Sequence, residues 1–152
     1  MSPTLNDLPI PQADDLDKVF AVADLVAGGA ENSADVSDRL GVVRRQGFYY
    51  TAAAEALLLI QRGRESLTLL PVGEDYVRRG EVDEQAFRRG IVLHAPIIRH
   101  IASELGMKPR TKVPEQLLDV EFVAGMLEDL GLASDTAERR AYTIRSWLKA
   151  VA

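Results

Sequence analysis

The chain stops two helices with the same Leu-Gly pair, ninety residues apart, and restarts a helix shortly after each. The first segment reads Leu40-Gly41-Val42-Val43-Arg44-Arg45-Gln46-Gly47-Phe48-Tyr49-Tyr50. The second reads Leu130-Gly131-Leu132-Ala133-Ser134-Asp135-Thr136-Ala137-Glu138-Arg139-Arg140-Ala141-Tyr142. Glycine ends helices because it takes the left-handed conformation at no steric cost. Each pair therefore calls for a sharp turn between two helices, and each following helix carries two arginines near its start. In a helix-turn-helix those positions face the major groove. The pattern points to nucleic-acid binding more than to catalysis.

Apolar spacing fills in the elements around these turns. Residues 1–13 hold three prolines and no periodicity, which predicts an irregular arm. Asp14 or Asp15 caps a helix to Ala27 with an inward stripe of Leu16, Val19, Phe20, Ala23, Val26 and Ala27. Asn32 or Ser33 caps a short helix to Leu40. A third helix is expected over Val43–Leu59, with Ala53, Ala56, Leu57 and Ile60 inward. Leu58–Gln61 and Ser66–Leu69 flank Arg62-Gly63-Arg64-Glu65 and read as a β-hairpin with Arg62 and Arg64 at its tip. Further helices are expected over Pro71–Arg79, from an Asp83 cap to His94, over Pro96–Leu105, from Pro114 to Leu118, and over Val120–Leu130. A last helix, capped by Ser134, carries the stripe Ala137, Ala141, Ile144, Trp147, Leu148 and Val151. Residues 107–113 read as a basic loop.

The expected fold is therefore mainly α. It comprises a winged helix-turn-helix with a short β-hairpin wing over 14–80, connecting helices over 81–106, and a second helix-turn-helix-like unit over 107–152. Sliding the second unit by 91 residues puts Ala53 on Ile144, Leu57 on Leu148 and Ile60 on Val151, which suggests an internal repeat with one turn a residue longer.

Composition removes several alternatives. The chain has no cysteine, so neither disulfides nor thiolate metal sites are available. Two histidines, His94 and His100, are six apart and do not share a helical face, so no metal is expected and both read as structural. No apolar run reaches the length of a membrane span, and the N-terminus lacks the basic and apolar regions of a signal peptide, so a cytoplasmic protein is expected. There is no acidic-plus-lysine nuclease constellation, Gly-rich phosphate loop or nucleophile elbow, so no enzyme, catalytic residue or cofactor is expected. The net charge of -5 opposes DNA binding. Its distribution tempers that: residues 1–40 hold eight acidic against two basic side chains, and residues 41–152 hold fifteen against sixteen.

The candidate DNA contacts follow from placement. Arg44, Arg45 and Gln46 start the third helix, where arginine reads guanine or grips phosphate and glutamine reads adenine; the alternative is a solvated helix start. Tyr49 and Tyr50 point about 100° apart, so one faces inward, and Tyr49 is the outward choice. Arg62 and Arg64 offer wing contacts to phosphate or the minor groove. Thr136, Arg139, Arg140 and Arg145 form a second set, opposed by Asp135 and Glu138. Gly47, inside a helix, implies close approach either to a ligand or to the first helix. The pairs Arg78-Arg79 and Arg88-Arg89 read as decoration of a solvated face.

The segment Val36 to Leu59, around Arg45-Gln46-Gly47-Phe48-Tyr49-Tyr50, resembles a bacterial winged-helix module of restriction-endonuclease-like and other defence-associated DNA-binding proteins. The tail Ser134 to Val151 is similar to the module's second half, in Thr136 to Ala141 and Ser146-Trp147-Leu148. The resemblance implies two winged-helix-like units that read double-stranded DNA and are attached to another activity, in a catalytic partner chain or a fused domain. A specificity module of a restriction or defence system is one expectation and a small transcriptional regulator is another; the apolar helices of 81–106 are expected to form the spine between the two units or a homodimer contact. A protein-docking module that does not bind DNA is the rival of a different class.

Overall fold

A computed structural model describes residues 13–104, 106, 113 and 115–152. The expected arm up to residue 12 and the basic stretch 107–112, with Lys108, Thr111 and Lys112, lie outside the described residues. So do Leu105 and Pro114, the expected end of one helix and start of another. The described elements run α1 (Leu16–Ala27), α2 (Ser33–Leu40), α3 (Arg44–Ala56), β1 (Ile60–Arg62), β2 (Leu67–Leu69), α4 (Pro71–Val77), α5 (Glu84–Leu93), α6 (Pro96–Glu104), a 3-10 turn (Glu115–Leu118), α7 (Val120–Asp129) and α8 (Ser134–Val151). The molecule is mainly helical with one small antiparallel sheet, in the register Ile60 to Leu69, Gln61 to Thr68 and Arg62 to Leu67.

Side-chain caps start four of the helices. Asp15, Asn32, Asp83 and Asp119 each accept from a backbone N–H three residues on, and so satisfy one of the donors a helix start leaves open. α3 and α8 differ. Val43 and Ala133 precede them in extended conformation, with no side-chain cap. The expected Ser134 cap is thus displaced by one residue: Ser134 is the first helical residue and Ala133 holds the cap position.

The two Leu-Gly turns share one geometry. Gly41 and Gly131 take φ of 70° and 103°. The residue after each glycine then bonds back five residues, Val42 to Ser37 and Leu132 to Leu127, at 3.0 and 3.2 Å. This is the six-to-one closure of a Schellman end. Both turns are equally long, so the units align at an offset of 90, not 91. At that offset the buried positions Gly47, Thr51, Ala53, Ala54 and Leu57 fall on the buried Ala137, Ala141, Thr143, Ile144 and Trp147. The 91-residue alignment matched similar residue types while placing the buried Gly47 on the exposed Glu138.

α3 ends at Ala56, three residues before its expected end. Leu57, Leu59 and Ile60 are all fully buried, and a continuing helix could not turn all three inward. The chain instead reverses at Leu58, which takes φ of 63° and leaves its own side chain exposed. The Leu70 amide closes the hairpin base on the Leu59 carbonyl, and the Leu67 amide ties β2 to the Glu31 carbonyl.

One core joins the two units. α1 is its centre, with Val19, Phe20, Val22 and Ala23 fully buried against α2, α3, α4, β2 and α8. α8 packs on α7, α5 and the 3-10 turn through Ala137, Ala141, Ile144, Trp147, Leu148 and Val151, the expected stripe, all buried. The Trp147 indole N–H donates to the Ala13 carbonyl at 2.6 Å, and Thr143 donates to the Asp14 carboxylate at 2.6 Å. Phe87, Ile91, Val92, Ile97, Ile98 and Ile101 belong to this same core or pack against it.

Arg79, which follows α4, and Arg88 and Arg89 on α5 are not surface decoration, whereas Arg78 is, standing exposed beside Glu74 and Asp75 of the preceding turn. Tyr76 is fully buried between Phe20 and Phe87, with ring centroids 4.8 and 5.8 Å away. Its hydroxyl donates to Glu84 at 2.8 Å and accepts from Arg88 at 3.0 Å. Arg79 bridges Asp24 and Glu84, and Arg88 bridges Asp17 and Glu84. Burial raises the Tyr76 pKa, while the Tyr76 hydrogen bond, helped by Arg88 and Arg79, lowers that of Glu84. A buried hydroxyl needs partners, and this one takes Glu84 and Arg88 of α5, which are in turn paired with Arg79 and with Asp17 of α1. Arg89 meets the Val151 carbonyl and Gln85 the Ala152 carbonyl, fastening α5 to the end of α8.

Candidate nucleic-acid interface

The orientation of α3 is set by what it buries. Gly47, Thr51 and Ala54 recur at helical spacing and face inward. A Cβ at Gly47 would stand 1.7 Å from Ser37 Oγ and 2.9 Å from Ser37 Cα. The glycine is therefore explained by contact with α2, rather than with α1 or a ligand. Thr51 returns its hydroxyl to the Gly47 carbonyl at 2.7 Å and so needs no outside partner. With that face inward, Val43, Arg44, Arg45, Gln46 and Phe48 all stand exposed, Val43 by 67% and Phe48 by 51%.

Arg45 and Tyr49 form a pair on this face. Arg45 Nε donates to the Tyr49 hydroxyl at 2.7 Å, and its guanidinium lies 5.5 Å from the ring centroid. Tyr49 and Tyr50 are both half-buried, so the expected division into one inward and one outward tyrosine is replaced by two partial exposures. Burial, then Asp15 and Asp14, raise the Tyr50 pKa. Arg45, Gln46 and both tyrosines line a depression of about 400 Å³ that Ala13, Asp14 and Val43 complete.

The hairpin supplies less than its sequence promised. Arg62 is the last residue of β1 rather than a tip residue. Its guanidinium meets Glu55 at 3.0 and 3.2 Å, its backbone N–H meets the same carboxylate at 2.9 Å, and its charge lies 5.3 Å from the Phe48 ring. Arg62 locks the hairpin to α3. Arg64, in the turn, is exposed and takes no ion pair among the described residues.

α8 places its residues unequally. Arg139 is exposed, whereas Thr136, Arg140 and Arg145 are half-buried. Burial, helped by Arg139, lowers the Arg140 pKa, and Tyr49 acts in the opposite sense. Ala13 and Asp14 run between α3 and α8, lining the depression with Tyr49 and Tyr50 and accepting from Trp147, Thr143 and Ser146 of α8.

The acidity of the first forty residues is partly offset by ion pairs at the surface. Asp17 and Asp24 are paired with Arg88 and Arg79. Among the described residues, Arg44, Arg45, Arg64 and Arg139 have no such partner and are all exposed. Phe48 is the surface residue that sequence reasoning passed over. The signal was present, because a helix that turns Gly47 and Thr51 inward must turn Phe48 outward.

His94 Nδ1 lies 2.7 Å from the Gly90 carbonyl. No group of three or more histidine, aspartate or glutamate side chains arranged to hold a metal occurs among the described residues. No described helix is long and apolar enough to cross a membrane. No protein-family model matches the chain, no curated protein matches it, and no solved structure matches it.

Proposed function

We propose that the chain binds double-stranded DNA through the exposed start of α3, as a winged-helix unit with α2–turn–α3 as its helix-turn-helix and β1–β2 as its wing. The observation that carries this reading is the set Arg44, Arg45 and Gln46. These side chains stand exposed at the start of the second helix after a tight turn, and the two arginines take no acidic partner among the described residues. α3 begins without a side-chain cap, so its first-turn amides are open to a phosphate. Val43 and Phe48, exposed at and just after the start of α3, offer apolar surface of the kind that meets thymine methyl groups. On this reading Arg64 meets the backbone beside the groove, and Arg62 acts indirectly by holding the hairpin.

The biological setting that fits is a specificity module of a restriction or defence system, with a small transcriptional regulator as the alternative. Both follow from the resemblance to defence-associated winged-helix modules. The protein-docking reading draws on a different observation. An open apolar groove of about 370 Å³ lies between the end of α3, α4 and α5, lined by Leu57, Leu58, Val72, Phe87 and Ile91 among others. Most of the apolar residues in 86–105 are in the core and unavailable to a partner.

The test is the pair of substitutions Arg44→Ala and Arg45→Ala, made together. Both side chains are exposed, so the fold should persist by circular dichroism. Loss of duplex binding with the fold intact supports the reading. Unchanged binding moves the contact elsewhere on the molecule and refutes it.

A further inference from the structure

Arg45 is not simply an exposed charge. Its Nε is engaged by the Tyr49 hydroxyl at 2.7 Å, and the ring lies alongside the guanidinium. The two residues are four apart, so one helical face sets the geometry. This arrangement uses the side edge of the guanidinium and leaves the Nη1–Nη2 edge, where two N–H groups run parallel. That fork matches guanine O6 and N7, and it serves best when its orientation is fixed before binding.

A second reader in the next groove would have to stand one helical turn of DNA away from α3. Successive major-groove faces lie about 34 Å apart, and one groove admits one helix. Ala13 and Asp14 link α8 to α3: they line one depression with Tyr49 and Tyr50, and they accept from Trp147 and Thr143 of α8. Arg140 is half-buried in this region, and Arg139 alone of that pair is exposed. An exposed arginine on the helix beside the reader suits a phosphate rather than a base edge.

Resting on the DNA-binding reading above, we propose that Arg45 is the base-reading side chain and guanine its target, that Tyr49 is the positioning residue that presents it, and that Arg139 contacts phosphate only. The two helix-turn-helix units then form one DNA face with a division of labour, instead of two independent readers.

The experiment selects bound sequences from a randomised duplex library with the wild-type protein. It then measures the affinity of the selected duplex, and of duplexes with each guanine replaced, for wild type and for Arg45→Lys, Tyr49→Phe and Arg139→Ala. A bidentate arginine–guanine pair discriminates by about 5-fold to 150-fold. The wild type should show that preference at one guanine. Arg45→Lys keeps the charge without the fork, and should lose the preference while the salt dependence stays. Tyr49→Phe should weaken the same preference, at that position alone. Arg139→Ala should weaken binding to all sequences and reduce the slope of log affinity against log salt by about 1. Melting curves of each variant confirm that it is folded; Arg45→Lys, at an exposed site, keeps the test decisive should Tyr49→Phe unfold. A wild type that binds DNA and variants Arg45→Lys and Tyr49→Phe with unchanged guanine preference would overturn this inference and leave DNA binding standing. A wild type that binds no duplex at low salt would overturn both.

Discussion

Gly47→Ala should destabilise the protein even though alanine is the better helix former. Replacing an interior helical glycine by alanine favours folding by about 1 kcal/mol. Against this stands the contact with α2. The new Cβ would meet Ser37 Oγ at 1.7 Å, Cβ at 2.7 Å and Cα at 2.9 Å. The hydroxyl can rotate away, although it then gives up its 2.9 Å bond to the Ser33 carbonyl. The Cβ and Cα of Ser37 move only if α2 itself moves, and α2 is held by Val36 in the core. Overpacking costs about 1–3 kcal/mol, and the need for backbone movement puts this site toward the upper end. The net expectation is a loss of about 1–2 kcal/mol, or roughly 3–6 °C in melting temperature for a chain of this size. Urea unfolding followed by circular dichroism measures it. Ser37→Gly removes the two clashing side-chain atoms, at a helix-propensity cost of about 0.5 kcal/mol when made alone. The double variant Ser37→Gly with Gly47→Ala should then be more stable than the sum of the singles by about 1 kcal/mol or more. A Gly47→Ala protein as stable as the wild type, or purely additive effects, would refute the close-approach explanation.

Three further outcomes are expected. Tyr76→Phe removes the buried hydroxyl between Glu84 and Arg88 and should cost about 1–3 kcal/mol at neutral pH by urea unfolding. Because the folded-state pKa of Glu84 is lowered, chiefly by that hydroxyl, its contribution is complete above the ordinary glutamate range, near about 4.3, and is lost as pH falls through the lowered value. Stability measured from pH 5 downward should therefore fall less steeply in Tyr76→Phe than in the wild type; equal slopes would count against the network. Glu55→Gln should leave the melting temperature nearly unchanged, since an ion pair this exposed is worth about 0–1 kcal/mol, yet it should speed tryptic cleavage after Arg64 by releasing the hairpin. An unaltered cleavage rate would show that the Arg62–Glu55 pair does not hold it.

Much of the fold was legible because it rests on local chemistry. The Leu-Gly turns, the Asp and Asn caps and the stripe of α8 are each written within a few consecutive residues. What the sequence hid depends on contacts across the chain. Arg79 and Arg88 look like solvated charges until α4 and α5 fold over α1 and surround the Tyr76 hydroxyl. Arg62 looks like a wing tip until Glu55, seven residues earlier, captures it. Arg140 follows the same rule, since helical spacing puts it off the apolar stripe but not away from Tyr49. Gly47 was recognisable as a close-approach site, whereas its partner Ser37 was visible only in three dimensions. The one-residue error in the repeat has a similar cause. Matching by residue type favoured alanine on isoleucine, while the shared turn geometry fixes the register.

The most direct test of DNA binding by α3 is fluorescence anisotropy of the wild-type protein with a random-sequence duplex across a salt series. With Arg44, Arg45, Arg64 and Arg139 as phosphate or base contacts, log affinity should fall against log salt with a slope of about -3 to -4. No binding at low salt by a folded sample, or binding indifferent to salt, would contradict the account.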